Sequence, residues 1–127
     1  MATITASWTE NVTLHTSGSV SAGASATDDI DLAIAGYDCV EVQVRITFGS
    51  TPDDGCDVEV FASPDSGTTD DTIPLFAFQV QEVTSTQVIK SFVVRDVPYI
   101  AVKLTNNDST DAVTYEADYA GRKWSSA

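Results

Sequence analysis

The sequence predicts a single antiparallel β-sandwich of about eight strands, and three observations support this prediction. Apolar and polar residues alternate with period two in several segments, which gives each predicted strand one apolar and one polar face. These segments recur about every ten residues and are separated by Gly, Pro, Asn and Asp, which favour turns. No amphipathic helix of ordinary length is predicted. An eight-stranded jelly roll is the first choice of architecture, and an immunoglobulin-like sandwich is the alternative.

The strongest element is the stretch from Cys39 to Ser63, which predicts two strands and one turn. The turn lies in 49–55, where Gly, Pro and Asp supply the required chemistry. Such a hairpin needs a second sheet to cover its aliphatic face. The residues predicted to share that face are Val40, Val42, Val44, Ile46 and Phe48 on the first strand, and Val58, Val60 and Ala62 on the second.

The remaining elements follow from the same pattern. Before the central stretch, the sequence predicts a short strand or arm at 3–7, a strand at 11–16, a loop or weak edge strand at 17–26, and a strand at 28–35. After it, the sequence predicts a loop at 63–71, strands at 73–82, 86–94, 99–105 and 112–120, and a tail at 121–127. The inward face of 86–94 is ambiguous because its periodicity is mixed.

Length and charge limit the function classes. A chain of 127 residues is predicted to be one domain, 1–127, with 1–9 and 121–127 as candidate flexible arms. The net charge of −13 disfavours nucleic acid, whose affinity comes from Lys and Arg releasing counterions, and it disfavours an anionic membrane surface. The N-terminus carries no signal-peptide pattern, and no apolar run reaches the length of a membrane span.

The two cysteines are predicted to be free thiols. In the predicted hairpin their sulfur atoms lie too far apart for a disulfide. Cys56 shares the parity of Val58 and should face inward, whereas Cys39 shares the parity of Glu41 and should face outward. Free thiols are consistent with assembly in a reducing cytoplasm.

The sequence contains no pattern that indicates catalysis or a cofactor, so the prediction is that the protein is not an enzyme. His15 is the only histidine, and its parity, opposite to that of Val12 and Leu14, predicts a place on the polar face. No spacing matches an EF-hand or an RTX nonapeptide. The best calcium ligands would be the loop carboxylates Asp65, Asp70 and Asp71.

Partner binding has its best candidates near the two ends of the chain, at Trp8, Arg122, Lys123 and Trp124. Two of only six basic residues stand beside a tryptophan in this tail, which suits an acidic partner surface. The tryptophans could equally close the ends of the sandwich. Exposed aromatics can also bind sugars, and Phe61, Tyr37 and Trp8 are the candidates for that role.

Two runs give the chain a resemblance to a known family. VEVFASPDSGTTDDTIPLFAF (58–78) predicts a strand, a loop and a strand, and VKLTNNDSTDAVTYEADY (102–119) predicts a strand, an Asn-Asn-Asp turn and a strand. With the small all-β chain, these runs resemble β-sandwich capsid decoration (cement, head-auxiliary) proteins of tailed bacteriophages. The resemblance covers most of the chain, but its motifs are turn chemistry, so it assigns no functional residue.

The resemblance implies a virion structural protein that is made in the host cytoplasm and stabilises the outer surface of the capsid. Its expected partners are the major capsid protein and further copies of itself in a trimer, with no direct contact to nucleic acid or membrane. Terminal arms of such proteins often order on binding. The alternative function is a carbohydrate- or receptor-binding β-sandwich module of a phage tail or fibre.

Overall fold

The computed structural model describes residues 3–64 and 73–126, and in these residues nine strands and one short helix form two packed antiparallel sheets. The elements are β1 (Ile4–Trp8), β2 (Val12–Val20), β3 (Ser25–Asp31), α1 (Leu32–Ala35), β4 (Cys39–Thr47), β5 (Cys56–Ser63), β6 (Phe76–Val80), β7 (Gln87–Arg95), β8 (Tyr99–Asn106) and β9 (Val113–Ser126).

The strand order is that of a jelly roll. Sheet A runs β2–β9–β4–β7, with β1 added beside the second half of β9, and sheet B runs β3–β8–β5–β6. In the described part of the chain, β5 and β6 are the one pair of consecutive strands that are hydrogen-bonded neighbours. Because the chain crosses between the sheets at the other connections from β2 onward, this topology confirms the jelly-roll prediction.

The predicted hairpin between Cys39 and Ser63 is wrong. β4 belongs to sheet A and pairs with β7 and β9, whereas β5 belongs to sheet B and pairs with β6 and β8. Turn-forming residues in 49–55 allow the chain to reverse, but they do not determine whether it returns beside the first strand or across the core. The aliphatic faces of β4 and β5 therefore lie on opposite sides of one core.

The core lies between the sheets and is built from the alternating residues of the central strands. Val42, Val44 and Ile46 of β4 are fully buried, as are Val58 and Val60 of β5. Their neighbours along each strand are partly or fully exposed, as period two requires. The other large side chains that are fully buried are Leu32, Val40, Val80, Ile100, Val102, Leu104 and Tyr115.

The strand predicted at 28–35 ends at Asp31. Most of 17–26, which was predicted to be a loop or a weak edge strand, belongs to β2 and β3. β2 continues to Val20 and β3 begins at Ser25. After Asp31 the chain forms α1, because the Asp31 side chain accepts a hydrogen bond from the Ile34 N–H at 3.0 Å and Gly36 adopts a left-handed conformation (φ 79°). α1 has only four residues, and no helix in the described ranges could cross a membrane.

The two terminal segments pair with each other. β1 runs antiparallel to the end of β9, with Trp8 opposite Arg122 and Ala6 opposite Trp124. Thr9 closes this pairing, since its N–H donates to the Gly121 carbonyl at 2.8 Å and its Oγ1 accepts from the Gly121 N–H at 2.9 Å. Most of the residues named as candidate arms, 1–9 and 121–127, therefore lie in paired strands.

Candidate functional site

Trp8 and Trp124 lie together on the outer face of sheet A. Directly opposed residues of an antiparallel pair point to the same face, so the β1–β9 register places Trp8 beside Arg122 and Ala6 beside Trp124 on one surface. Trp8 is 48% exposed and Trp124 is 55% exposed. We call these two side chains the tryptophan pair.

Arg122 and Asp38 fix the tryptophan pair in place. The guanidinium carbon of Arg122 lies 5.8 Å from the ring centroid of Trp8 and 5.5 Å from that of Trp124, within the range of cation–π attraction. The same guanidinium donates to both carboxylate oxygens of Asp38, at 2.6 and 3.2 Å. Hydrogen bonds from Arg122 and then from Trp124 lower the pKa of Asp38 to about 2. Asp38 therefore stays ionised and holds both groups.

Lys123 does not join this surface. Side chains alternate along β9, and the Lys123 ammonium group lies 5.4 Å from the ring centroid of Tyr37 instead. Tyr37 also packs edge-on against Tyr119 and lies directly over Gly121. Of the four residues predicted to bind a partner, the structure thus brings Trp8, Arg122 and Trp124 together and leaves Lys123 on the other side.

A shallow polar pocket of about 150 Å³ lies on the outer face of sheet A, the face that also carries the tryptophan pair. Ala120, in its lining, stands two residues before Arg122 on β9 and directly opposite Glu41 on β4. Arg45 fixes one wall, because it donates to Gln43 at 2.8 Å and to Asp118 at 2.9 Å. The pocket is lined by Asn11, Glu41, Gln43, Asp118, Tyr119 and Ala120. Asn11, Gln43 and Asp118 were not predicted as site residues, although alternation places Gln43 on a polar face.

The second candidate surface consists of β6 and β7, the strands at one free edge of each sheet, with the residues just before β6. In the described residues, β6 and β7 each have a hydrogen-bonded neighbour on one side only. Phe92 seals the core between them by edge-on contacts with Phe76 and Phe78, at 5.4 and 5.9 Å between ring centroids. Four large aliphatic side chains on these strands or just before β6 are at least 47% exposed: Ile73, Leu75, Ile89 and Val93. Ile89 and Val93 lie opposite Arg45 and Glu41 of β4, so they point to the outer face of sheet A. We call this surface the β6–β7 side.

His15 is half-buried, so its predicted place on the polar face is wrong. The β2–β9 register shifts on both sides of His15, which breaks the simple alternation of β2. The ring stacks on Tyr115 with 4.5 Å between centroids, and its Nδ1 lies 2.8 Å from an Asp28 carboxylate oxygen. Burial raises the pKa of Tyr115, whose hydroxyl has no hydrogen-bond partner among the described residues. His15 and Asp28 thus link β2 of sheet A to β3 of sheet B.

The aspartates between β4 and β5 and between β8 and β9 hold their own loops together. Asp108 is 2% exposed, and its carboxylate accepts from the N–H groups of Asp53, Thr110 and Asp111 at 2.7–2.9 Å. These hydrogen bonds, first those from Asp111 and Thr110, hold the pKa of Asp108 far below its ordinary value. No group of three or more His, Cys, Asp or Glu residues in 3–64 and 73–126 could hold a metal ion. The calcium candidates Asp65, Asp70 and Asp71 lie outside the described residues.

Both cysteines are buried and free, which confirms the prediction of free thiols. Cys39 shares the outer face of sheet A with Glu41, as its parity predicts, but its side chain is covered there and is only 1% exposed. Arg95 and Arg122 flank it on the neighbouring strands. Burial, and then the charge of Asp57, raises the pKa of Cys56 to about 12, so its thiol stays protonated and unreactive at neutral pH.

Comparison with solved structures shows the same fold in proteins of different kinds. No protein-family model and no curated protein matches the sequence. Xylanase 10B of Clostridium thermocellum, a CBM22-1–GH10 structure with xylohexaose, has a TM-score of 0.57 at 8% identity over 91% of this chain and 26% of that chain. Tripeptidyl peptidase 2 has a TM-score of 0.56 at 11% identity over 84% of this chain and 9% of that chain. The protein of infectious bursal virus derived T=1 particles has a TM-score of 0.54 at 14% identity over 96% of this chain and 32% of that chain. The chain thus spans less than a third of each, and at these identities the likeness is one of fold.

Proposed function

We propose that the chain is a structural protein of a tailed-phage virion that binds the outer surface of the capsid and stabilises the shell. The observation that supports this proposal best is the β6–β7 side. A single soluble domain rarely keeps large aliphatic side chains exposed along two free sheet edges, and such a surface usually marks a protein interface. In this proposal the protein is not an enzyme, and it works through contacts alone.

The charge distribution supports a place on the outside of a shell. A net charge of −13 keeps the protein away from packaged nucleic acid and favours solubility before assembly in the host cytoplasm. β7 carries two of the six basic residues of the chain, Lys90 and Arg95, and no acidic residue. The β6–β7 side is therefore less repulsive toward an acidic neighbour than the net charge of the whole chain would imply. The proposed neighbours are the major capsid protein and further copies of this chain in a trimer.

Binding to empty capsid shells tests the proposal. Shells of the encoding virus, prepared without this protein, are mixed with the purified chain, sedimented, and imaged by electron microscopy. Wild-type protein is expected to sediment with the shells. A double variant, Ile89→Lys with Val93→Lys, should lose this binding because it places charge on the apolar edge. The matched control, Val12→Lys with Ile34→Lys, makes the same changes at exposed positions elsewhere and should bind normally.

The proposal fails if the wild-type chain does not sediment with the shells, or if both double variants bind equally well. Native mass spectrometry adds an independent readout. A trimer whose mass is unchanged by EDTA is expected, because closed symmetry suits a threefold position on a shell. A monomer that loses calcium mass with EDTA would favour the alternative, a carbohydrate- or receptor-binding module.

A further inference from the structure

We propose that the outer face of sheet A carries a binding site for a neutral polysaccharide, formed by the tryptophan pair and the polar pocket on the same face. This inference rests on other residues than the proposed attachment to a capsid, although Val93 of the β6–β7 side lies directly opposite Glu41 on the same face of sheet A. It rests on three observations: two half-exposed indole rings, a polar cavity on the same face of sheet A, and the charges that surround both.

The tryptophan pair has the properties of a stacking platform. Sugars bind aromatic rings through the apolar C–H faces of the pyranose or furanose ring, which requires large and exposed aromatic surface. Each indole keeps about half of its surface exposed, although Arg122 contacts both rings. The Asp38 carboxylate fixes Arg122 and Trp124, so little side-chain freedom remains to be lost on binding.

The polar pocket supplies the hydrogen-bonding groups that a stacked sugar needs. Asn11 and Gln43 offer amide donors and acceptors, and Glu41 and Asp118 offer carboxylate acceptors for hydroxyl groups. From Asp118 to Trp124 the outer face of β9 extends over about 20 Å, since a strand rises about 3.3 Å per residue. This length suits a chain of several sugar units better than a monosaccharide.

The charges of the site select a neutral ligand. Arg122 and Arg45 are already paired, with Asp38 and with Glu116 and Asp118 respectively. Glu41 is exposed at the polar pocket, and the whole chain carries a net charge of −13. An anionic polysaccharide would therefore be repelled, whereas hydroxyl groups can donate to these carboxylates.

The tryptophan pair provides its own spectroscopic probe, because the chain contains only these two tryptophans. The full chain is titrated with soluble xylan, mixed-linkage glucan, galactomannan and dextran, and with polygalacturonate as an anionic comparison. Tryptophan emission and retardation in polysaccharide-containing native gels are recorded. At least one neutral polysaccharide is expected to shift the emission and retard the protein, and polygalacturonate is expected to do neither.

Variants locate the site. Trp8→Ala and Trp124→Ala should each weaken binding by about ten-fold, the upper range for one lost aromatic stacking contact. Gln43→Ala keeps both rings and should also weaken binding, so the test does not depend on the stability of the tryptophan variants. Ile34→Ala, a truncation of an exposed side chain on α1, should bind as wild type does. The inference is wrong if no neutral polysaccharide binds, or if the tryptophan variants bind unchanged. Loss of shell binding in these variants without any polysaccharide binding would instead make this face a protein contact.

Discussion

Gly121 is the residue whose side-chain size matters most to the terminal strand pair. A Cβ atom at this position would lie only 2.4 Å from the ring of Tyr37, which is packed in turn against Tyr119. Gly121→Ala should therefore lower the free energy of unfolding by about 1–3 kcal/mol, as expected when a packed site is overfilled. Urea denaturation measures the change.

Gly18→Ala is the control for this substitution. Gly18 also lies in a strand of sheet A, but its added Cβ would meet only the Thr16 carbonyl oxygen at an ordinary 3.6 Å. We expect this variant to be as stable as the wild type or slightly more so, because alanine restricts the unfolded chain more than glycine does. Equal losses in both variants would mean that strand geometry, and not the Tyr37 ring, requires glycine at 121.

The two strongly hydrogen-bonded aspartates predict how stability depends on acid pH. The pKa of Asp38 is lowered from an ordinary value near 3.9 to about 2 in the folded chain, and that of Asp108 is lowered further. The folded state thus favours the ionised forms, so their contribution is fully present above about pH 4 and is lost as pH falls toward 2. The melting temperature, measured between pH 5 and pH 2, should fall steeply.

Substitution of Asp108 should flatten that pH profile. Asp108→Asn has no carboxylate to protonate. It should therefore melt at a lower temperature than wild type at pH 5, and its melting temperature should fall less between pH 5 and pH 2. Glu10→Gln removes one negative charge from an exposed position and controls for reduced repulsion in an acidic chain. Parallel profiles for Asp108→Asn and wild type would show that other groups govern acid unfolding.

At the scale of elements, local patterns predicted strands well and connections poorly. The alternation of Val40 to Ile46 reflects burial on one face, which any sandwich imposes, so β4 was predicted with nearly correct bounds. Pairing partners depend on contacts distant in sequence, so the hairpin prediction failed. The helical turn after Asp31 was missed because Leu32 and Ile34 fit a strand pattern, yet the Asp31 cap and Gly36 favour a helix.

β1 is predicted to be a separable addition to the jelly roll. All five of its residues are exposed, and it pairs only with the end of β9 among the described strands. Removal of residues 1–8 should leave a cooperatively folding domain and lower its free energy of unfolding by about 1–3 kcal/mol, through lost hydrogen bonds and cation–π contact. Guanidinium denaturation measures this loss.

Truncation after Arg122 is the matched test, because residues 123–126 are the β9 partners of Ile4–Ser7. If each truncation acts by removing the β1–β9 pairing, the double truncation should lower the free energy of unfolding by less than the sum of the two separate decreases. Additive losses would indicate that each segment is stabilised by other parts of the chain. A chain without residues 1–8 that fails to fold would show that β1 is integral to the domain.

At the scale of the whole molecule, the candidate sites could be predicted only in part from the sequence. Trp8 and Trp124 could be recognised as candidates for exposed aromatics, but their proximity follows from pairing between the two ends of the chain. Asp38, which fixes them, is distant from both in sequence. The polar pocket likewise combines residues of β4 and β9 with Asn11, so no local motif could indicate it.

Net charge makes a final prediction about the proposed trimer. Each copy carries −13, so assembly brings together three strongly repelling domains. Between about 0.01 M and 0.1 M salt the screening length falls from about 30 to about 10 Å, which weakens repulsion between the bodies while apolar contact at the β6–β7 side is retained. The trimer fraction in analytical ultracentrifugation should therefore rise with salt. The Ile89→Lys, Val93→Lys variant should stay monomeric throughout, since it lacks the apolar contact. A trimer that dissociates as salt rises would mean that ion pairs, and not the aliphatic edge, hold the copies together.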